Sequence, residues 1–97
     1  MARVIYSREA LEDFGRLIEF LLGSAPDSAA PSVDRIRGAI SILADHPLIG
    51  RRADAWRREL VISRGRTGYL AMYRYDASRD IVFILRIRHQ REAGFAE

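Results

Sequence analysis

Hydrophobic residues recur along the chain at the spacings that mark helices and strands. Arg3–Tyr6 is a short β-prone run, and it stops at Ser7. Ser7 is a good helix N-cap, and apolar residues follow it in steps of three and four up to Gly23-Ser24-Ala25-Pro26. This period predicts an amphipathic helix that begins at Ser7 and ends in that glycine- and proline-containing segment.

A second helix is expected to open at Ser28 or its neighbours, because Pro31 is acceptable only in a first turn. Apolar residues then recur in steps of four and three until His46-Pro47. Only a few turn residues join the two helices, so they should form an antiparallel pair with a shared apolar face. The side chains expected to serve the core are Leu17, Leu21, Val33 and Ile40.

Three further runs are rich in aromatic and β-branched residues, and they predict strands over Trp56–Ile62, Tyr69–Tyr75 and Ile81–His89. Strict alternation in the last strand would set Ile81, Phe83, Leu85 and Ile87 on one face and Val82, Ile84, Arg86 and Arg88 on the other. That strand begins apolar on both faces and ends cationic on one. The whole pattern predicts one α+β domain over residues 1–97, with the order β-α-α-β-β-β. A helical hairpin would pack on one face of a largely antiparallel sheet that ends in a three-stranded meander.

Charge is distributed unevenly between the two halves. All 16 basic side chains are arginine, and each offers a planar donor fork suited to phosphate or carboxylate. Residues 1–49 hold five arginines against seven acidic residues, and residues 50–97 hold eleven against six. The C-terminal half should therefore present a positive surface. The absence of cysteine excludes disulfides and thiolate metal sites, and two histidines do not make a zinc site, so no metal or cofactor is expected.

Several motifs, taken in order, resemble one family. They are the strand that ends in Tyr6-Ser7, the helix built on Ala10-Leu11-x-Asp13, Leu43-Ala44-Asp45-His46-Pro47-x-Ile49-Gly50, Arg58-Glu59-Leu60, Tyr73-Arg74-Tyr75 and Ile84-Leu85-Arg86-Ile87-Arg88-His89. Over nearly the whole chain this resembles the ParE/RelE superfamily, the toxins of bacterial type II toxin–antitoxin modules, also called plasmid stabilisation proteins. The resemblance implies the fold predicted above. It also implies a cytoplasmic toxin that causes growth arrest, has no membrane association, and is neutralised by a cognate antitoxin in a hetero-oligomer.

The superfamily contains two kinds of toxin. The resemblance implies that ParE-like members inhibit DNA gyrase by binding it, and that RelE-like members are ribosome-dependent endonucleases that cut mRNA. A nuclease would use His89 as base or acid, with Arg58, Arg86 and Arg88 as phosphate clamps. Two departures favour the ParE-like branch: Tyr69-Leu70-Ala71 stands where such nucleases carry an early basic residue, and Gln90-Arg91-Glu92 stands where they often bring an aromatic hydroxyl. A degenerate member without toxicity is a third reading.

Candidate contact residues follow from the same comparison. The set expected to bind the target comprises Arg57, Arg58, Arg86, Arg88, His89 and Arg91. The Arg51-Arg52 and Arg57-Arg58 pairs are equally compatible with solvated charges beside a strand. Trp56 is expected to be a sheet-edge or core anchor rather than a stacking platform for a base.

Overall fold

The computed structural model describes residues 1–63 and 68–89. Arg91 and the tail 91–97 therefore lie outside the described residues. The elements are β1 (Arg3–Tyr6), α1 (Arg8–Ser24), α2 (Pro26–Ser41), a 3-10 helix (Ile42–Ala44), β2 (Arg51–Arg52), β3 (Arg58–Val61), β4 (Tyr69–Asp76) and β5 (Ile81–His89). The predicted α+β class and its element order are confirmed, with the two-residue β2 as an addition inside the basic connector.

All these strands form one sheet in the order β1-β5-β4-β3-β2. The pairs β2–β3, β3–β4 and β4–β5 are antiparallel, whereas β1 lies parallel to β5. Parallel neighbours need a long crossover, and here it is the whole chain between β1 and β5. The core lies between the helical hairpin and the sheet, and its fully buried large side chains include Ile36, Ile40, Leu43, Tyr73 and Ile84.

The predicted start of the second helix was wrong. α2 begins at Pro26 rather than near Ser28, and Pro31 lies inside the helix instead of in its first turn. Pro26 occupies the first helical position, where a missing N–H costs nothing. Pro31 leaves the Asp27 carbonyl without its usual donor. The helix continues because Ala29 and Ile36 are buried beneath it, and tertiary packing supplies most helical stability.

The strict alternation predicted for β5 was also wrong. Tyr73 of β4 pairs with Ile84, but Met72 pairs with Arg86, so Leu85 is an extra residue at a β-bulge. An inserted residue exchanges the two faces of a strand beyond it. Ile87 consequently joins Ile84 in the core, and Arg86 and Arg88 move to the opposite face.

Trp56 is neither the sheet-edge anchor nor the core anchor that was predicted. β2 pairs with β3 through Arg52 and Arg58, so residues 53–57 form the turn between these strands. The Trp56 side chain lies in this turn and is 76% exposed. By contrast, Leu21 and Ile40 of the predicted core set are buried, and Leu17 and Val33 pack partly buried against the core.

Among Gly15, Gly23, Gly38 and Gly50, only Gly50 lies where a side chain would clash. Its N–H donates to the buried Tyr73 hydroxyl at 2.9 Å. A Cβ atom built on Gly50 would lie 2.6 Å from Tyr73 Cε1 and 2.8 Å from the Glu59 carbonyl oxygen. A backbone atom and a buried ring cannot withdraw cheaply, so only glycine fits this position.

Gly50→Ala should lower the free energy of unfolding by about 1–3 kcal/mol, because the added methyl group clashes with the Tyr73 ring and with the Glu59 carbonyl of β3. Urea denaturation at neutral pH measures this change. Gly38→Ala is the matched control, since a Cβ at Gly38 meets nothing within 4 Å. Because Gly38 lies inside α2, its replacement should raise stability by up to about 1 kcal/mol. Equal effects of the two substitutions would contradict the packing explanation.

Candidate basic interface

The register of the sheet assigns each candidate residue to one of two faces. Residues directly opposite each other on neighbouring strands share a face. The helix side of the sheet carries Tyr69, Ala71 and Tyr73 of β4, all buried in the core. The opposite side, here called the outer face, carries Glu59, Val61, Leu70, Met72, Arg74, Phe83, Arg86 and Arg88.

Arg58 and His89 belong to the helix side. Arg58 pairs with Tyr73 in register, and its Nη1 atom donates to the carbonyl oxygens of Leu48 at 3.2 Å and Gly50 at 2.8 Å. His89 pairs with Tyr69, and the two rings meet edge to face with their centroids 5.5 Å apart. Arg58 thus holds the segment before β2, and His89 packs against a core tyrosine.

Arg86 and Arg88 belong to the outer face, where they pair with Met72 and Leu70. The sheet therefore separates Arg88, on the outer face, from Arg58 and His89 on the helix side. Arg86 is in register with the outer face, but its guanidinium reaches the carboxylate of Asp13 on α1. Arg88 makes no hydrogen bond or ion pair with any other described residue, so its charge is available to a partner. Arg86, by contrast, is hydrogen-bonded within the protein.

Arg86 is held by a buried carboxylate of α1. Asp13 Oδ2 accepts from Arg86 Nε at 2.7 Å, and Asp13 Oδ1 accepts from Arg86 Nη2 at 3.0 Å. Oδ2 also accepts the backbone N–H of Ile87 at 3.0 Å, and Arg16 contacts Oδ1 from the solvent side. The Asp13 side chain is only 2% exposed. Burial raises the pKa of Asp13, but the hydrogen bonds from Arg86 and Ile87 outweigh it, so the net pKa lies below the ordinary value.

These contacts secure the bulge in β5. β1 covers β5 only as far as Ile84, so the following backbone groups have no strand on that edge. Ser7 takes their place: its N–H donates to the Ile84 carbonyl at 2.9 Å, and its hydroxyl donates to the Leu85 carbonyl at 3.0 Å. The same hydroxyl oxygen caps α1 by accepting the Ala10 N–H at 3.0 Å. The start of α1 thereby fixes the cationic end of β5.

Sequence reasoning treated Asp13 as part of a family motif and as a negative charge near the start of the first helix, and it did not predict the pairing with Arg86. A signal was present, because Asp13 lies three residues after Ala10 and beside Phe14, on the buried stripe of α1. A carboxylate in such a stripe needs a cationic or N–H partner. Its partner could not be identified, since Arg86 lies 73 positions away and many arginines were available.

The centre of the outer face is not uniformly cationic. Glu59 and the apolar Met72 and Leu70 lie in register between the basic edges. Arg51 Nε donates to Glu59 Oε1 at 3.0 Å. The Arg74 guanidinium stacks over the Phe83 ring, 4.9 Å from its centroid. A phosphate placed at the centre would therefore meet a carboxylate and hydrocarbon rather than a clamp of cations.

A second feature lies on the helix side, at the β1 edge of the sheet. It is an apolar groove of about 780 Å³ between β1 and the two helices, lined by Ala2, Val4, Tyr6, Leu11, Phe14, Gly15, Ile18, Val33, Arg37, Ile40, Ser41 and Ala44. Leu11 of α1 lines this groove and is 58% exposed. Burial raises the pKa of the Tyr6 phenol, and the charge of Arg37 partly opposes this.

Within residues 1–63 and 68–89, no group of three or more histidine, aspartate or glutamate side chains is arranged to hold a metal ion. In the same part of the chain, neither α1 nor α2 has the length and apolar character that a membrane crossing requires.

Asp13→Asn should lower the free energy of unfolding by about 2–4 kcal/mol at pH 7, because Arg86 loses its charged partner in a buried setting. The folded pKa of Asp13 is lowered, so its ionised form stabilises the protein above the unfolded pKa of about 3.9. That stabilisation is lost as the pH falls through the folded pKa. The gap between wild type and variant should therefore shrink below about pH 4 in urea titrations.

Glu12→Gln is the control for this substitution, since Glu12 forms a solvent-exposed pair with Arg8 on the same helix. It should change stability by no more than about 0.5 kcal/mol at either pH. If Asp13→Asn lowered the free energy of unfolding equally at all pH values, the shape of the side chain rather than its charge would matter at this position.

Known proteins resemble this chain in sequence and in fold. The family described as the ParE toxin of the type II toxin–antitoxin system parDE matches residues 4–94. The toxin RelE3 of Caulobacter vibrioides is 38% identical over 92 residues, which cover 95% of this chain and 98% of that protein. Among solved structures, a chain of the chromosomal ParDE system from P. aeruginosa superposes with a TM-score of 0.75 at 22% identity, covering 92% of this chain and 96% of that one. A chain of the intact E. coli RelBE toxin–antitoxin complex superposes with a TM-score of 0.64 at 14% identity, with the same shares covered.

These two structures share the fold, and the family match and the relative extend the likeness to sequence. The chain belongs to the ParE/RelE family of type II toxin–antitoxin toxins.

Proposed function

We propose that this toxin is ParE-like: a cytoplasmic protein that inhibits DNA gyrase by binding it and is neutralised by a cognate antitoxin. The observation that carries this proposal is the separation of the nuclease set by the sheet. Arg58 and His89 lie on the helix side, Arg88 lies on the outer face, and Arg86 is bound to Asp13 of α1.

Cleavage of RNA by its own 2′-hydroxyl needs a base and phosphate-binding cations on the same side of the substrate. The base must come within hydrogen-bond reach of the hydroxyl, at roughly 3 Å. Here His89 packs against Tyr69, Arg58 is bound to the Leu48 and Gly50 carbonyls, and Arg86 is bound to Asp13. This arrangement supports a binding protein rather than a nuclease.

The residues of the proposed target-binding set have different roles. Arg88 contacts the target, because it lies on the outer face and has no partner among the described residues. Arg57 contributes at the edge of the same face, where its guanidinium lies 3.5 Å from Met72 Sδ. Arg86 and Arg58 hold β5 and the segment before β2 in position, and His89 supports β5 through Tyr69. Arg91 remains a proposed contact outside the described residues.

A RelE-like, ribosome-dependent mRNA endonuclease is the second candidate. What supports it is the likeness to a relative named RelE3 and the adjacency of Arg88 and His89 at the end of β5. In that case His89→Ala would abolish cleavage of messages on translating ribosomes while the fold survived.

The purified toxin should inhibit DNA supercoiling by gyrase, and Arg88→Ala should raise the concentration for half-inhibition at least about tenfold, the effect of losing one good charged contact. The matched control is Arg35→Ala, an exposed arginine on α2 away from the sheet, which should inhibit like wild type. Both variants should melt within a few degrees of wild type.

Intact gyrase activity at excess toxin would refute the proposal. If messages on translating ribosomes were then cut, the endonuclease would replace it. If neither target responded and expression without antitoxin caused no growth arrest, the chain would be a degenerate member.

For the antitoxin we propose the apolar groove at the β1 edge. β1 is the terminal strand of the described sheet, and Leu11 and Val33 leave apolar surface open beside it. Such a surface suits a segment that folds on binding and lays the apolar side of a helix or strand into the groove. Arg37 at the groove would pair with an acidic residue of that segment.

Gly15→Phe should weaken antitoxin binding at least about tenfold, because the ring occupies groove volume that the partner needs. The fold should survive, since a Cβ at Gly15 meets nothing within 4 Å. Calorimetric titration with the antitoxin encoded beside the toxin gene measures the effect. Gly38→Phe, equally open but not part of the groove, should bind like wild type. Loss of binding in the Gly38 variant alone would move the antitoxin site elsewhere on the hairpin.

A further inference from the structure

The turn between β2 and β3 presents an exposed tryptophan on a fixed backbone. Asp54 Oδ1 accepts the N–H groups of Trp56 and Arg57, each at 2.8 Å, and Asp54 Oδ2 accepts Arg57 Nε at 2.8 Å and Nη2 at 2.6 Å. The Ala53 N–H closes the turn on the Arg57 carbonyl at 2.9 Å. Hydrogen bonds from the Arg57 side chain and from the backbone N–H groups of Trp56 and Arg57 lower the pKa of Asp54 to about 2, so its carboxylate stays ionised throughout the physiological pH range.

Stability of the fold does not explain Trp56. Its side chain is 76% exposed, so the largest apolar side chain in the protein contributes little to the core. Burying such a side chain would be strongly favourable. A rigid turn that instead holds it in solvent is a preorganised contact, because the backbone loses no further freedom on binding.

The surroundings of Trp56 select an anionic partner. Residues 51–60 contain four arginines against only Asp54 and Glu59. Arg52 is exposed and has no ion-pair partner in the described part of the chain. Arg58 donates hydrogen bonds only to neutral carbonyl oxygens there. Both charges are therefore uncompensated locally. Arg57, by contrast, is paired with Asp54, and its Nη1 atom lies 3.5 Å from Met72 Sδ.

We propose that the Asp54–Arg57 turn is a binding site for single-stranded nucleic acid, with an unpaired base stacked on Trp56 and an adjoining phosphate held by Arg52. An indole ring beside arginines is the combination that binds single strands without sequence preference. A base in a duplex has no free face to offer, so the site requires unpaired nucleotides. This contact involves no cleavage, and it stands whether the toxin's target is gyrase or the ribosome.

Trp56 is the only tryptophan of the chain, so intrinsic fluorescence reports on this site alone. Titrating the full-length toxin with oligothymidylate or oligouridylate of about 12 nucleotides should give saturable quenching. Comparison of the two oligonucleotides distinguishes DNA from RNA as the source of the strand. The matching duplex should quench weakly or not at all.

Variants are compared by the anisotropy of a labelled oligonucleotide. Trp56→Ala should weaken binding about tenfold or more, and Trp56→Phe should restore most of it. Arg52→Ala should reduce the slope of log affinity against log salt by about 0.7, the loss of one phosphate contact on a single strand. Phe20→Ala, which removes an aromatic ring that is 63% exposed on α1, should bind like wild type.

Absence of quenching, or equal binding by wild type and Trp56→Ala, would overturn the proposal. So would quenching by an acidic polypeptide such as polyglutamate but not by either oligonucleotide, because the turn would then serve an acidic protein surface. The assay contains neither gyrase nor antitoxin, so its failure leaves the proposed function to its own test.

Discussion

The buried carboxylate of Asp13 is the interaction on which the end of the sheet depends. β1 is too short to cover β5 beyond Ile84, and backbone groups left open at a buried edge are costly. Asp13 supplies acceptors to the Ile87 N–H and to Arg86, and Ser7 serves the two carbonyls before them. A buried charge is tolerable only when its hydrogen bonds are satisfied, and Asp13 meets that condition. The first two turns of α1 thus take the place of a missing strand.

That arrangement stabilises the bulge at Leu85, and the bulge determines which side of the sheet each basic residue of β5 faces. Regular alternation would have driven Arg86 and Arg88 into the space beneath the helices, where Ile84 and Val82 are buried. The extra residue at Leu85 places Ile87 there instead and sends both arginines to the outer face. The same event leaves His89 on the helix side, against Tyr69. One inserted residue therefore decides both what the core contains and which basic side chains can act together.

The two surfaces that lack an explanation in the fold lie at opposite edges of the sheet. The apolar groove lies beside β1, and the Trp56 turn joins β2 to β3. β5 and β4 lie between these two surfaces. One surface is apolar with a single arginine, and the other is an aromatic ring among several arginines. Partners of different chemistry can therefore engage the two ends of the sheet, which suits a toxin that must meet both a neutraliser and a target.

Sequence determined what depends on near neighbours: the cap at Ser7, the amphipathic period of α1, the strand character of β4 and β5, the family likeness and the cationic end of the chain. Its misses all involve long-range pairing. Pro31 lies inside α2 because the buried residues Ala29 and Ile36 hold that helix in place, the alternation of β5 is broken by its register against β4, and Trp56 lies in the turn that forms when β2 pairs with β3. Asp13 and Arg86 stand 73 positions apart, and periodicity carries no information about which distant groups meet. The local sequence pattern determined which segments form helices and strands. Tertiary packing determined which side of each strand faces the core, because a shift of one residue in register exchanges the two sides.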